Sequence, residues 1–515
     1  MASTRPTYDY IVVGAGSAGC VVAARLSQDP TAYVLVLEAG GTDDRAAVHD
    51  PVRWPTLVGG ELDWGYQTTP QRHANKRVLP CPLGKMIGGC HSLNACTWVH
   101  GHRTDFDNWA YRGNPGWDFN SVLPIFRTIE DYAGGGNDYR GSLGPLYMEP
   151  PRDPNPIATA FIDGARETGL PVVDDNNAAA MEGASYFDLT IKNGRRHSVA
   201  SAYLRPAMER PNLEVVTGAE ARRLIFDGTR CRGVEYAHDG RLETAIADRE
   251  VIVCAGAIGS PRLLMLSGIG PSEDLRPLGI SMVVDLPGVG RNLQDHVLLA
   301  GITFEVKNEL PPPRNNGAES TLWWKSDWRL LGPDVQPVLV EFPFTSAELA
   351  DQVPPNCFTI APTLVRPASR GTVRLTASSP AAPPEIDMNY LACDADVVAL
   401  LVAIDLCREI GASPALRRFS RREVLPGPRD RTGMRAFIRQ SAFTFFHPSS
   451  TCRMGVDAMA VVDPELRVFG VTGLRVADAS IMPDVTTGST TAPSVLIGEK
   501  AAAMVMGARA VVAAA

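Results

Sequence analysis

No two of the ten cysteines in this 515-residue chain are spaced as Cys-x-x-Cys. That scatter excludes a disulfide framework and the usual zinc pattern, and no metal site is expected. Nothing flanking Cys90 or Cys96 makes either an obvious thiolate, and both read as small packed side chains. Excess positive charge is missing too, since 49 Lys and Arg face 57 Asp and Glu, for a formal charge of -8. Neither a nucleic-acid footprint nor a polybasic membrane patch is expected. Long polar or Gln/Ser-rich stretches are absent, which argues against disorder. The start, MASTRPTYDYIVV, lacks the apolar core and cleavage site of a secretory signal, so a cytoplasmic protein is expected. The closing AAAMVMGARAVVAAA carries Arg509 and is too short to span a bilayer; it reads as a helix end with a frayed tail. A hydrolase is disfavoured because there is no G-x-S-x-G elbow.

What the chain does have is a globular composition, 45% hydrophobic and 21% charged, with length for two or three domains and for enclosing a large cofactor. Near its start, Asp9-Tyr-Ile-Val-Val-Gly14 is a strand pattern that stops at glycine, and Gly14-Ala-Gly-Ser-Ala-Gly19 leads into a helix-compatible stretch. In that strand–turn–helix setting, Gly14 permits the tight turn, Gly16 lets backbone approach a pyrophosphate and Gly19 allows close helix–strand packing. The helix start at Ser17 and Ala18 supplies amide donors and a positive dipole end. A second strand, AYVLVLEAGG, ends in Glu38, where an acid accepts hydrogen bonds from a ribose 2′-hydroxyl and would repel the extra phosphate of NADP. Residues 8–38 alone leave FAD and NAD both open.

Three further segments decide between them. Residues 84–107 read GKMIGGCHSLNACTWVHGHRTDFD, residues 256–270 read GAIGSPRLLMLSGIG, and residues 447–455 read HPSSTCRMG, followed by GLRVADASIMP and GSTTAPSVLIGEKAA. Together these resemble the glucose–methanol–choline oxidoreductases, FAD-dependent alcohol oxidases and dehydrogenases, in the family's order from about Tyr8 to Met506. The resemblance implies that Met86, Gly89, Asn94, Ala95, Cys96 and Thr97 lie along the flavin ring and pyrophosphate, that Ala221 contacts adenine, and that Asp478 and Ala479 hold the ribityl chain and the pyrimidine edge. The histidine through which some members attach FAD covalently aligns with Leu93, so a non-covalent FAD is expected; His91, beside it, reads as a side chain hydrogen-bonded near the cofactor.

Oxidising an alcohol by hydride transfer to flavin N5 also requires the hydroxyl proton to leave, which a base of near-neutral pKa does best. His447 heads HPSSTCRMG, and the resemblance implies that it faces flavin N5 and the substrate oxygen; Pro448 biases it toward an extended backbone. The family's second active-site position, a His or Asn, is Thr491 here, and Ser489 replaces the neighbouring Asn. A threonine hydroxyl hydrogen-bonds but is no base. His447 then acts with Thr491 orienting substrate, or another group fills the second role; the remaining alternative is non-oxidative chemistry like that of the family's hydroxynitrile lyases or fatty-acid photodecarboxylases. The substrate is expected to be a small alcohol and the electron acceptor oxygen, a quinone or a carrier.

The scattered motifs predict an α/β fold: a doubly wound, discontinuous FAD domain from residues 1–155, 215–300 and 445–515, and an α+β second domain from 156–214 and 301–444, its mainly antiparallel sheet roofing the flavin. RGTVRLTAS and PPEIDMNYL are expected in that roof sheet. LPPPRNNGAES, near residue 310, reads as a flexible connection or active-site lid, or equally as a plain surface loop.

Overall fold

The computed structural model describes residues 7–507; the polar lead of residues 1–6 and the tail from residue 508, Arg509 included, lie outside the described residues. Tyr8–Val13 pairs in parallel with Val34–Glu38 on one side and with the end of Arg241–Val253 on the other. Leu213–Thr217 and Leu474–Val476 add parallel neighbours at the two edges. Ile11 to Val13 and Val34 to Leu37 are all buried, which is why these strands read as unbroken apolar runs without alternation. Arg241–Val253 serves twice, because its first half also closes an antiparallel meander with Arg230–His238 and Glu220–Asp227.

The helix Ser17–Leu26 leaves the glycine turn and packs along the last described helix, Thr491–Val505. A Cβ on Gly498 would sit 2.8 Å from the Ala18 carbonyl oxygen, so glycine sets the spacing of this pair. Arg25 fastens it through Glu499 at 2.8 Å, and the Tyr203 hydroxyl donates to the same carboxylate. The packing carries the start of the last helix to the cleft beside the first.

The second sheet has six strands, all antiparallel, in the order Ser420–Leu425, Thr303–Val306, Cys357–Ala361, Val338–Val340, Ser320–Trp323 and Gly183–Tyr186. Helices Pro156–Glu167 and Asp394–Gly411 pack against it. Strand alternation divides its residues: Val338 and Val340 face a cavity, and Leu339 between them joins the main core. The architecture is α/β with a mainly antiparallel second sheet, as the sequence suggests.

Two expectations are corrected. RGTVRLTAS and PPEIDMNYL do form strands, Thr372–Arg374 and Glu385–Asp387, but these pair only with each other and not with the six-stranded sheet. Backbone bonds from Val373 to Gly290 and between Gly371 and Leu293 tie this hairpin to residues 290–293 instead. The segment near residue 310 is no loose lid either. Asn315 and Asn316 are buried; the Asn316 amide donates to the Ala95 carbonyl at 2.6 Å, and its own carbonyl accepts the Trp54 indole N–H at 2.9 Å. Among the described residues no helix is long and apolar enough to cross a membrane.

Candidate active site

A cleft opens at the carboxyl ends of the parallel strands, where α/β sheets place nucleotide ligands. Distant parts of the chain supply its walls, among them Gly14, Gly16, Ser17, Ala18 and Glu38; Gly89; Ala221; and Asp478 with Ala479 and Thr491. Gly14 has φ +100°, and a Cβ there would lie 2.5 Å from the Cys254 carbonyl oxygen, so the turn admits no side chain. Gly16 differs, for a Cβ would meet nothing within 4 Å and would stand in the open cleft. Gly19 lies behind the turn, where a Cβ would come within 1.9 Å of the Gly14 carbonyl oxygen. At one end the cleft passes Trp64, Tyr66, Glu220 and Arg262 into an open groove. At the other it meets a second cavity at Cys90, Phe446, Thr490 and Thr491. An elongated dinucleotide fits this space and its donors: a side-chain-free turn, a helix start for the pyrophosphate, and a carboxylate for a ribose.

That carboxylate, Glu38, accepts the Ala15 and Gly40 amides at 2.8 Å each. Burial nonetheless pushes its pKa up to about 7, against the pull of those two amides and of Lys85. Ribose hydroxyls donate to the ionised form, so ionisation and FAD binding favour each other. FAD affinity is therefore expected to weaken as pH falls from 8 through 7, by up to about tenfold per pH unit below that value. Fluorescence titration of apoprotein with FAD checks this; equal affinity at pH 6 and pH 8 would contradict it. Asp478, also buried and raised in pKa by burial, is fully engaged by Gly256 N, the Ser260 hydroxyl and Ser480 N at 2.5–2.9 Å.

The second cavity collects Asn94, Ala95, Thr97, His447 and Thr491. Met86 and Cys96 line neither space: Met86 packs with Val48, Leu57 and Leu93, and Cys96 is fully buried. His91 is buried as well. Its Nδ1 accepts the Val199 amide and its Nε2 reaches the Thr190 hydroxyl at 3.1 Å, while burial drops its pKa to about 3. Asn94 has a fixed orientation, since its Oδ1 accepts from Arg196 and from Cys96 N. Its Nδ2 therefore donates to Thr491 Oγ1 at 3.0 Å, which leaves the threonine proton free to donate elsewhere.

His447 is held by a residue that motif reading does not reveal. His296, wholly buried, places its Nδ1 2.9 Å from His447 Nδ1. One nitrogen must donate and the other accept. His296 Nε2 is buried without a hydrogen-bond partner, and the nearby carbonyls of Thr486 and Val365 favour a proton on the ring. With its proton on Nε2, His296 accepts at Nδ1, His447 donates from Nδ1, and His447 Nε2 is left bare, the tautomer a base requires. Burial and the neighbouring imidazole hold the His447 pKa well below the ordinary histidine range, so it is neutral at physiological pH. Asp295 secures the surrounding loop: it accepts the His447 amide at 2.8 Å, the Thr444 hydroxyl at 2.6 Å and the Tyr390 hydroxyl. Phe446, between two aromatic neighbours, sits at φ +65°, a strained conformation for an aromatic residue and of the sort that clusters at functional sites. The sequence signal for this layer is the Asp295-His296 pair set directly against the apolar strand Val297–Leu299, since polar groups at such a position need built-in partners.

Replacing His296 with alanine is expected to keep FAD bound and to slow flavin reduction by about 10- to 100-fold, the scale of one lost orienting hydrogen bond. Rapid-mixing absorbance checks it; an unchanged rate would remove His296 from the account.

Fold and site together define a nucleotide-dependent oxidoreductase of two-sheet architecture. The chain belongs to the GMC oxidoreductase family, whose N- and C-terminal models match residues 8–298 and 367–498. It is 38% identical to the mitochondrial choline dehydrogenase of Homo sapiens over 98% of this chain and 90% of that protein. It is 40% identical to the oxygen-dependent choline dehydrogenase of Burkholderia thailandensis over 97% and 94%. Among solved structures it is similar to pyridoxine 4-oxidase from Mesorbium loti, with a TM-score of 0.93 and 36% identity over 96% of this chain and 98% of that one. Membership makes it an FAD-dependent oxidoreductase.

Proposed function

We propose that this protein oxidises an alcohol to an aldehyde or ketone, with His447 as general base and Thr491 orienting the reacting hydroxyl. The observation that carries this reading is the His296–His447 contact, which engages His447 Nδ1 and leaves Nε2 as the ring nitrogen available to the cavity that His447 lines beside the nucleotide cleft. A substrate hydroxyl there gives its proton to His447 and accepts a hydrogen bond from Thr491, two complementary demands met by two neutral groups. FAD, when bound, supplies the two-electron acceptor for the carbinol hydrogen. Fixed hydrogen-bonding groups of the cavity stabilise the developing alkoxide.

Several features support a non-covalent FAD. Among the described residues lining either space, His447 is the only histidine; Leu93 lines the second cavity, and both ring nitrogens of His91 are engaged elsewhere. The names of the relatives, choline dehydrogenases and an oxidase, agree with alcohol oxidation.

The test is the visible spectrum of the purified protein mixed with primary and secondary alcohols, without oxygen and then with it. Bleaching of the flavin band with formation of a carbonyl product is expected. Recovery in air would mark oxygen as the acceptor; recovery only with an added quinone or carrier would mark a dehydrogenase. No bleaching with any alcohol would overturn the proposal.

A further inference from the structure

The second cavity is walled by aliphatic and aromatic groups, and among the described residues that line it there is no Asp, Glu, Lys or Arg. Of the buried carboxylates nearby, neither lines the cavity. Asp295 is occupied by Thr444, Tyr390 and the His447 amide, and Glu341, next to Val340, accepts from Asn155 through Oε2, keeps Oε1 buried without a partner and is pushed by burial up to about 8, which favours the neutral acid. A fixed cation placed here would lose its hydration without meeting a counter-charge. Aromatic faces attract cations, quaternary ammonium groups among them, but here no carboxylate lines the cavity beside them.

One wall group is left over. Gln336, 2% exposed, donates its Nε2 to Thr321 Oγ1 at 3.1 Å, and Thr321 in turn donates to the Pro337 carbonyl. With the Thr321 hydroxyl donating to Pro337, the Nε2 end of the amide faces Thr321, and Gln336 Oε1 is buried without a partner. An unpaired buried acceptor in a substrate cavity is costly until a ligand donor meets it.

We propose that this cavity takes an uncharged alcohol with an apolar or aromatic body that carries a second hydrogen-bond donor, and that Gln336 Oε1 receives that donor. The proposal rests on the alcohol-oxidising reading and narrows its substrate class. It sets the protein apart from enzymes of quaternary ammonium alcohols, which bring a permanent charge and no second donor.

The experiment compares four compounds with the holoenzyme under anaerobic conditions: choline, its neutral carbon isostere 3,3-dimethylbutan-1-ol, benzyl alcohol and 4-hydroxybenzyl alcohol. The rate of flavin reduction against concentration gives kcat/KM for each. The isostere is expected to exceed choline by about tenfold or more, and 4-hydroxybenzyl alcohol to exceed benzyl alcohol by about tenfold. Gln336→Met should abolish the second preference and retain the first. Choline matching or exceeding its isostere, or a hydroxybenzyl preference that survives Gln336→Met, would overturn the proposal while leaving alcohol oxidation standing. If none of the four reduces the flavin, alcohol oxidation fails for this set, and calorimetric binding of the same compounds still decides the cavity: neutral over cationic and donor-bearing over bare supports it, and the reverse order sinks it.

Discussion

Replacing His447 with alanine is expected to leave FAD bound and to slow flavin reduction by about 10²–10⁴, the usual contribution of a positioned general base. The side chain lines the substrate cavity and not the nucleotide cleft, so cofactor binding survives its loss. What disappears is the one neutral imidazole whose tautomer is set for accepting a proton, because His296 would then face an empty space. Thr491 cannot substitute for it, since its oxygen already accepts from Asn94 and its hydroxyl does not ionise at neutral pH. Rapid anaerobic mixing with a reducing alcohol, together with the flavin content of the purified variant, checks both halves. Equal rates in variant and wild type would remove His447 from the chemistry.

Gly16→Val is expected to abolish FAD binding while the fold persists. Three neighbouring glycines of the same motif behave differently here. At Gly14 or Gly19 any side chain strikes backbone, at 2.5 Å and 1.9 Å, so those variants would disrupt the turn itself. At Gly16 the backbone has φ −79° and ψ −162°, open to any residue, and a Cβ finds no neighbour within 4 Å. Valine would therefore be accommodated by the apoprotein and would fill the space where the pyrophosphate approaches the helix start. Far-ultraviolet circular dichroism should match wild type, and the purified variant should be colourless and unable to take up added FAD. Retention of normal flavin would show that the cofactor does not run across this turn.

The nucleotide half of the site was legible because its information is local. A glycine spacing, a strand ending in Glu38 and a Pro-biased histidine segment each declare themselves within about twenty residues, and Gly14, Gly16, Glu38, Asp478 and His447 line the spaces that those motifs imply. The layer beneath was not legible because it depends on pairings between distant segments. His296 meets His447 across 151 positions, and Asn94 meets Thr491 across 397. Strand character suffers the same limit: alternation identified Thr372–Arg374 as a strand but carried nothing about its partner, so the hairpin was assigned to the wrong sheet. Loop composition likewise reveals proline and glycine but not the contacts of Asn316, which clamp the segment expected to move.

The most direct measurement is the anaerobic reduction of the holoenzyme by one reactive alcohol and by the same alcohol deuterated at the carbinol carbon. The flavin band is expected to bleach as carbonyl product forms, more slowly with deuterium because that C–H bond breaks in the step observed. Consumption of the alcohol with the flavin spectrum unchanged would contradict it and would point to chemistry in which no electrons reach the cofactor.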